Sequence, residues 1–182
     1  MLRKVLIMCL LVILLLVGSA CQPEPEEFDE EALLALNNYV DELSTAMLDQ
    51  TLEADLKGWV RDYYEDDLPL QYDEERRAWL AEHRDNLNEV RRRHRTAAFP
   101  SDETIAGWQV IVVRSGSEWL LKGEEALAAL NKLESIYAEL IAVIEMIIGE
   151  EGELDMPQSE RVLELIDELE PQVNEVRAYY FH

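Results

Sequence analysis

The chain has 182 residues, with 39 aspartates and glutamates against 16 lysines and arginines, and a formal net charge of −23. That excess repels phosphate backbones and anionic membrane surfaces, so nucleic-acid binding is excluded as a main role. Two cysteines, Cys9 and Cys21, are too few for a disulfide framework or a cysteine-based metal centre.

Residues 1–20 have the three parts of an export signal. Arg3 and Lys4 make a positive start, Val5 to Val17 an apolar run, and Gly18-Ser19-Ala20 a small-residue exit. The apolar run is shorter than the roughly 20 residues a membrane-crossing helix needs, which weighs against a retained transmembrane anchor. The stretch Val17-Gly18-Ser19-Ala20-Cys21 resembles the lipobox of bacterial lipoproteins, and the resemblance covers residues 1–21 only. Gly18 stands where that family usually has a larger aliphatic residue. The resemblance implies a diacylglyceryl group on the Cys21 thiol, cleavage between Ala20 and Cys21, and a new N-terminus at Cys21. Gln22, in place of Asp, implies no retention signal for an inner membrane. Two acyl chains anchor a protein stably where one holds it marginally. The expected location is therefore the exported side of a cell membrane or outer membrane. An ordinary secreted protein with an incidental Cys21 is the alternative.

Removal of residues 1–20 takes away two cations and no acid, so the remaining chain carries about −25. Cys21 is then its single cysteine, and apolar packing alone must hold the fold. No cofactor is expected. Residues 21–27 (CQPEPEE) form a Pro/Glu-rich tether that at about 3.1 Å per residue reaches roughly 20 Å. The folded domain is expected over residues 28–182.

From Phe28 to about Asp66, Leu33, Leu36, Val40, Leu43, Met47, Leu52, Leu56, Trp59 and Tyr63 recur at helical spacing. The phase slips near Asp49–Thr51 and predicts a bend or break there, while Asp29, Glu30 and Glu31 suit a first turn. Leu68-Pro69-Leu70 reads as a connector. Asp73 is the expected N-cap of a second helix ending near Thr96, with Arg76, Trp79, Leu80, His83, Leu87, Val90 and His94 on one face.

After a turn at Ala97–Pro100, Ser101 with Asp102 and Glu103 starts a third helix. Ile105, Val112, Trp119, Ala126, Leu133, Leu140 and Ile147 are spaced by sevens, and this unbroken phase predicts one long helix with a coiled-coil-like seam. On that seam Gly116 and Gly123 would let a neighbouring helix approach closely. The β-branched run Val110-Ile111-Val112-Val113 and the Ser115-Gly116-Ser117 turn leave a strand or helix break open as the alternative. Gly149 to Pro157 ends the helix. A fourth runs from about Ser159 to Tyr180, with Val162, Ile166, Leu169, Val173, Val176 and Tyr180 on one face and Pro171 off it. The expected architecture is all-α, an antiparallel four-helix bundle.

Residues able to carry chemistry are few. His83 and His94 lack the Glu-x-x-His and His-Glu-x-x-His spacings of metal-binding helices and read as packing residues. Glu65-Asp66-Asp67 and the 150–155 cluster lack the alternating order of a calcium loop. Ser44-Thr45, Ser115 and Ser117 sit in no nucleophile motif. Trp59, Trp79, Trp108 and Trp119 suit a core, and Tyr179-Tyr180-Phe181 suits a cover for the end of the bundle. The basic run Arg91, Arg92, Arg93, His94, Arg95 has two readings: dipole complement with ion pairing to acidic helices, or contact of the four arginines with lipid headgroups. The sequence thus predicts a membrane-anchored, non-enzymatic interaction or scaffold module with an unidentified protein partner. Carboxylate-based binding of a cation or small cationic ligand is the alternative.

Overall fold

The computed structural model describes residues 29–65, 70–114, 116–149 and 156–181. Export signal, Cys21, tether, Asp66–Pro69, Ser115 and the acidic 150–155 cluster lie outside the described residues. Within them the chain is mostly helical, with one two-stranded sheet. The elements are α1 (Glu30–Met47), α2 (Gln50–Glu65), α3 (Leu70–His94), α4 (Asp102–Ala106), β1 (Gln109–Arg114), β2 (Ser117–Lys122), α5 (Gly123–Ile148) and α6 (Met156–Phe181).

Local chemistry explains the boundaries. Asp29 caps α1, its carboxylate accepting from the backbone N–H groups of Glu31 at 2.9 Å and Ala32 at 3.1 Å. The predicted break falls at Leu48–Asp49, where the Asp49 carboxylate accepts from Thr51 N at 2.7 Å and Thr51 Oγ1 at 2.6 Å. Helix α3 begins at Leu70, so Asp73 lies inside it and does not cap it. Ser101 caps α4 as expected, accepting from Thr104 N. Helix α6 continues through the exposed Pro171.

The long third helix is overturned. Helix α4 stops at Gly107, and residues 109–122 form an antiparallel hairpin before α5 begins. The heptad misled for a geometric reason. Val112 and Trp119 pair directly across the two strands and both turn toward the core, so residues seven apart share a face without a helix. Gly116 sits at the hairpin turn with φ +79°, a conformation that side chains with a Cβ resist. The heptad holds only from α5 onward, where Ala126, Leu130, Leu133, Tyr137, Leu140, Ile144 and Ile147 are all buried.

The apolar core runs through α1, α2, α3, α5 and α6. Helix α1 touches α3, α5 and α6; α3 touches α5; α5 touches α6; and α2 touches α3 and α6. Cross-helix pairs fix the directions. Glu42 of α1 meets Arg93 of α3, while Asp55 of α2 meets His83, so α3 runs back along both. Glu134 meets Arg91 and Glu145 meets Arg84, which sets α5 against α3. Lys132 meets Glu175 and Glu139 meets Arg161, which sets α6 against α5. The end of α3 meets α1 at Glu42, well along that helix, whereas the start of α5 and the end of α6 lie together toward the end where α1 begins. There Tyr180 is buried with its hydroxyl donating to the Ala126 carbonyl, and Tyr179 donates to the Lys122 carbonyl at 2.9 Å.

Gly123 carries the joint between hairpin and α5. Its N–H donates to the Trp108 carbonyl at 2.7 Å, and a Cβ there would overlap the backbone of Ile105 and Ala106. The close approach is thus to α4, and its neighbour is backbone that cannot swing aside. Gly123→Ala is expected to lower the unfolding free energy by about 2–3 kcal/mol. Gly116→Ala, with open space around it, should cost about 1 kcal/mol for backbone conformation alone. Urea unfolding of the two variants checks this, and equal costs would refute the close approach.

Candidate functional site

The basic run forms the last turn of α3 and the residue beyond it, and a single carboxylate organises it. Glu134, on α5, is largely buried. Its Oε2 accepts from Arg91 Nε at 3.0 Å, and its Oε1 accepts from Arg95 Nε at 3.1 Å and Nη2 at 2.7 Å. The Tyr39 hydroxyl of α1 donates to the same Oε1. The Arg95 guanidinium lies 4.3 Å from the Phe99 ring centroid and 5.1 Å from that of Tyr39, and Arg91 lies 5.6 Å from Tyr137. Three helices and the 95–100 loop thus meet at one charge-assisted cluster.

The electrostatics follow. Burial alone would raise the Glu134 pKa, but the hydrogen bonds from Tyr39, Arg95 and Arg91 outweigh it and hold the carboxyl below its ordinary value. Burial, and then the Glu134 carboxylate beside it, push the Tyr39 hydroxyl far above the usual tyrosine range. Burial works against the Arg95 charge, and Glu134 more than compensates. The remaining arginines are paired as well. Arg92 is held by Glu89 at 2.8 and 2.6 Å, and Arg93 by Glu42. Both keep most of their side chains in water. His94 packs on Tyr39 with ring centroids 5.8 Å apart, its Nε2 3.1 Å from Glu42 Oε2.

A second feature lies at the α1–α2 break. Asp49, Thr51, Asp55, Trp79, Glu82, His83 and Asn86 line an open groove of about 630 Å³. His83 Nε2 stands 3.1 Å from Asp55 Oδ2, so this histidine is engaged by a carboxylate between α2 and α3. Hydrogen bonds from the Thr51 side chain and backbone keep the Asp49 carboxyl below its ordinary value. Trp79 is 40% exposed beside these acids, whereas Trp59 and Trp108 are buried in the core. Among the described residues no three His, Cys, Asp or Glu side chains gather into a group able to hold a metal ion.

The third feature is the outer face of the hairpin, which forms where the sequence left a strand open as the alternative to a helix. Period-two alternation turns Val110, Val112, Trp119 and Leu121 inward and Ile111, Val113 and Leu120 outward. Ile111 and Leu120 face each other across the hairpin at 64% and 49% exposure, and Val113 follows at 72%. The run Val110-Ile111-Val112-Val113 contained the signal, since no amphipathic helix needs four consecutive β-branched residues.

The other sequence candidates are placed as follows. Ser44 is buried on the core face of α1 and Thr45 is exposed; neither stands by a catalytic partner in the contacts described. Trp119 packs edge-on against Tyr179, with centroids 5.1 Å apart. No helix among the described residues is long and apolar enough to cross a membrane. No protein family, curated protein or solved structure matches the chain.

Glu134→Gln is expected to destabilise the protein by about 2 kcal/mol near neutral pH, since it leaves the partly buried Arg95 guanidinium, and the more exposed Arg91, short of a counter-charge. The folded Glu134 carboxyl is more acidic than in the unfolded chain. Its contribution is therefore complete above the ordinary glutamate value of 4.5 and is lost as the pH falls through the lower folded value. Urea unfolding across an acid series should show the gap between the two proteins narrowing below that value. A gap independent of pH would refute the charged hub.

Proposed function

We propose that this chain is an exported lipoprotein, anchored through Cys21, whose acidic helical domain works as a non-enzymatic interaction module close to a membrane surface. The observation that carries this reading is an alignment between sequence and fold. The tether enters the domain at Asp29, toward the end that also holds the hairpin and the last turn of α6. The domain therefore has a defined anchor end, and its acidic flanks and far end face away from the tether. Its protein partner would meet those flanks, where charge complementarity calls for a basic surface and makes the encounter salt-sensitive. We also infer that α1 with α2, α3, α5 and α6 are the four columns of an antiparallel four-helix bundle, supported by the opposed directions of neighbouring helices.

The paired state of Arg91, Arg92, Arg93 and Arg95 supports the ion-pair reading of the basic run over headgroup contact. A guanidinium already shared with a carboxylate gains less from a lipid phosphate. For the anchor, the expected result is a mature protein that starts at Cys21 and carries a diacylglyceryl mass. Cys21→Ser should move the protein from the membrane fraction to the soluble one. An intact mass that still includes Met1, with no acyl group, would overturn the anchored reading.

A second reading has its own support in the groove at the α1–α2 break. Three carboxylates around a half-exposed indole suit a small organic ammonium better than a bare metal ion, because the ring face attracts the cation and the acids neutralise it. Calorimetry with tetramethylammonium and a linear polyamine should then give saturable heat below millimolar. Trp79→Ala should weaken binding about fivefold, equivalent to about 1 kcal/mol. Absence of saturable heat for both compounds removes this reading and leaves the first untouched.

A further inference from the structure

Seven large apolar side chains are exposed among the described residues: Leu34, Trp79, Ile111, Val113, Leu120, Leu163 and Phe181. Their placement is uneven. Leu34 is in the second turn of α1, Phe181 is the last residue of α6, and Ile111, Val113 and Leu120 form the outer face of the hairpin. All five stand at the end where α1 starts. Only Trp79 and Leu163 lie elsewhere, and Trp79 lines the acidic groove.

The hairpin's construction sharpens the point. Its inner face is anchored by Leu121 in the core and by Trp119 against Tyr179. Its outer face pairs Ile111 with Leu120, with Val113 next along the strand. The same face carries Glu118 opposite Val113 and Gln109 opposite Lys122, so Ile111, Val113 and Leu120 form an apolar patch bordered by polar side chains. The chain outside the structure says what is near. The seven residues 21–27 precede Phe28, a reach of roughly 20 Å. If Cys21 is acylated, the anchor end and its apolar side chains are never far from the lipid surface.

We propose that the outer face of the β1–β2 hairpin seats in the interfacial layer of the bilayer that holds the anchor, through Ile111, Val113 and Leu120. This inference rests on the lipid-anchored reading and goes beyond it, since an anchor alone requires no contact between the domain and lipid. The occupant is lipid because the exposed apolar residues come from three separate elements sharing one end, which suits a broad apolar phase better than a groove-bound peptide. Contact is apolar in kind. The same end carries Asp29, Glu30, Glu31, Glu118, Glu124 and Glu125, so anionic headgroups would repel it. A zwitterionic interface is the surface that fits. The seated hairpin would orient the domain and hold the far end outward for its partner.

The test uses the full chain, exported, processed and purified from membranes, then reconstituted into phosphatidylcholine vesicles. After processing Cys9 is gone and Cys21 is acylated, so Ile111→Cys supplies the single reactive thiol for an environment-sensitive fluorophore. Leu163→Cys, an exposed apolar position on the early part of α6, is the control. Circular dichroism checks that both variants fold like the parent. The expected result is a blue-shifted emission at position 111, quenched by spin-labelled lipid at least threefold more than at position 163. Vesicle flotation together with water-like emission at both positions would overturn hairpin seating and leave the anchor intact. Protection of position 111 in native membranes but not in pure lipid would also overturn it, assigning the face to a protein. No flotation and no acyl mass would overturn both readings at once.

Discussion

Glu134 is the carboxylate on which this end of the molecule depends. In a chain with so large an acidic excess most carboxylates stay in water, where their mutual repulsion is screened. Glu134 is instead drawn inward between helices, and this is tolerable only because Arg91, Arg95 and Tyr39 reach it together. Removal from water would otherwise cost several kcal/mol. The cluster therefore couples α1, α3 and α5 in one register. Phe99 continues the arrangement, stacking under Arg95 and edge-on to Tyr39 at 5.3 Å between centroids.

The same constraint explains the position of the basic run. Four arginines within five residues would be costly to cluster in a neutral protein. Here each finds a carboxylate, one on α3 itself through Glu89 and the others across helix boundaries through Glu42 and Glu134. The exposed pairs contribute little by themselves. Their collective effect is to offset self-repulsion along the helix interfaces while the outer surface keeps the negative charge. Other described cross-helix pairs are Arg84–Glu145, Lys132–Glu175, Arg161–Glu139 and Arg177–Asp41. In the first two and the last the cation is the less exposed partner, whereas in Arg161–Glu139 the acid is.

The hairpin departs from this economy. Fourteen residues from Gln109 to Lys122 interrupt an otherwise helical chain and leave apolar side chains outward in a protein with acid to spare. Its inner residues are needed, since Leu121 is fully buried and Trp119 packs on Tyr179. Ile111 and Leu120 face each other on the outer side, with Val113 opposite Glu118, and this exposed patch is the basis of the membrane orientation proposed above.

Much was legible in the linear pattern. The helix break at Asp49 was visible as a phase slip, the start of α4 as a hydroxyl followed by acids at Ser101–Glu103, and the buried faces of α5 and α6 as apolar spacing, while Asp29, expected in the first turn of α1, proves to be its cap. These features are local, because they depend on backbone rules and side-chain period within a turn or two. The α4–hairpin region was not legible in the same way. Val112 and Trp119 satisfy a heptad in one dimension and a cross-strand pair in three, and only packing of Leu121 and Gly123 against neighbouring elements selects the pair. Nor did the run Arg91–Arg95 disclose its partner, since Glu134 lies about forty residues along and looks like any other helix-surface acid. Composition, helical class and apolar periodicity were thus written in the chain itself. Which acid is buried, and which apolar face is left outward, were decided by the folded arrangement, because both depend on groups that meet only when distant segments pack together.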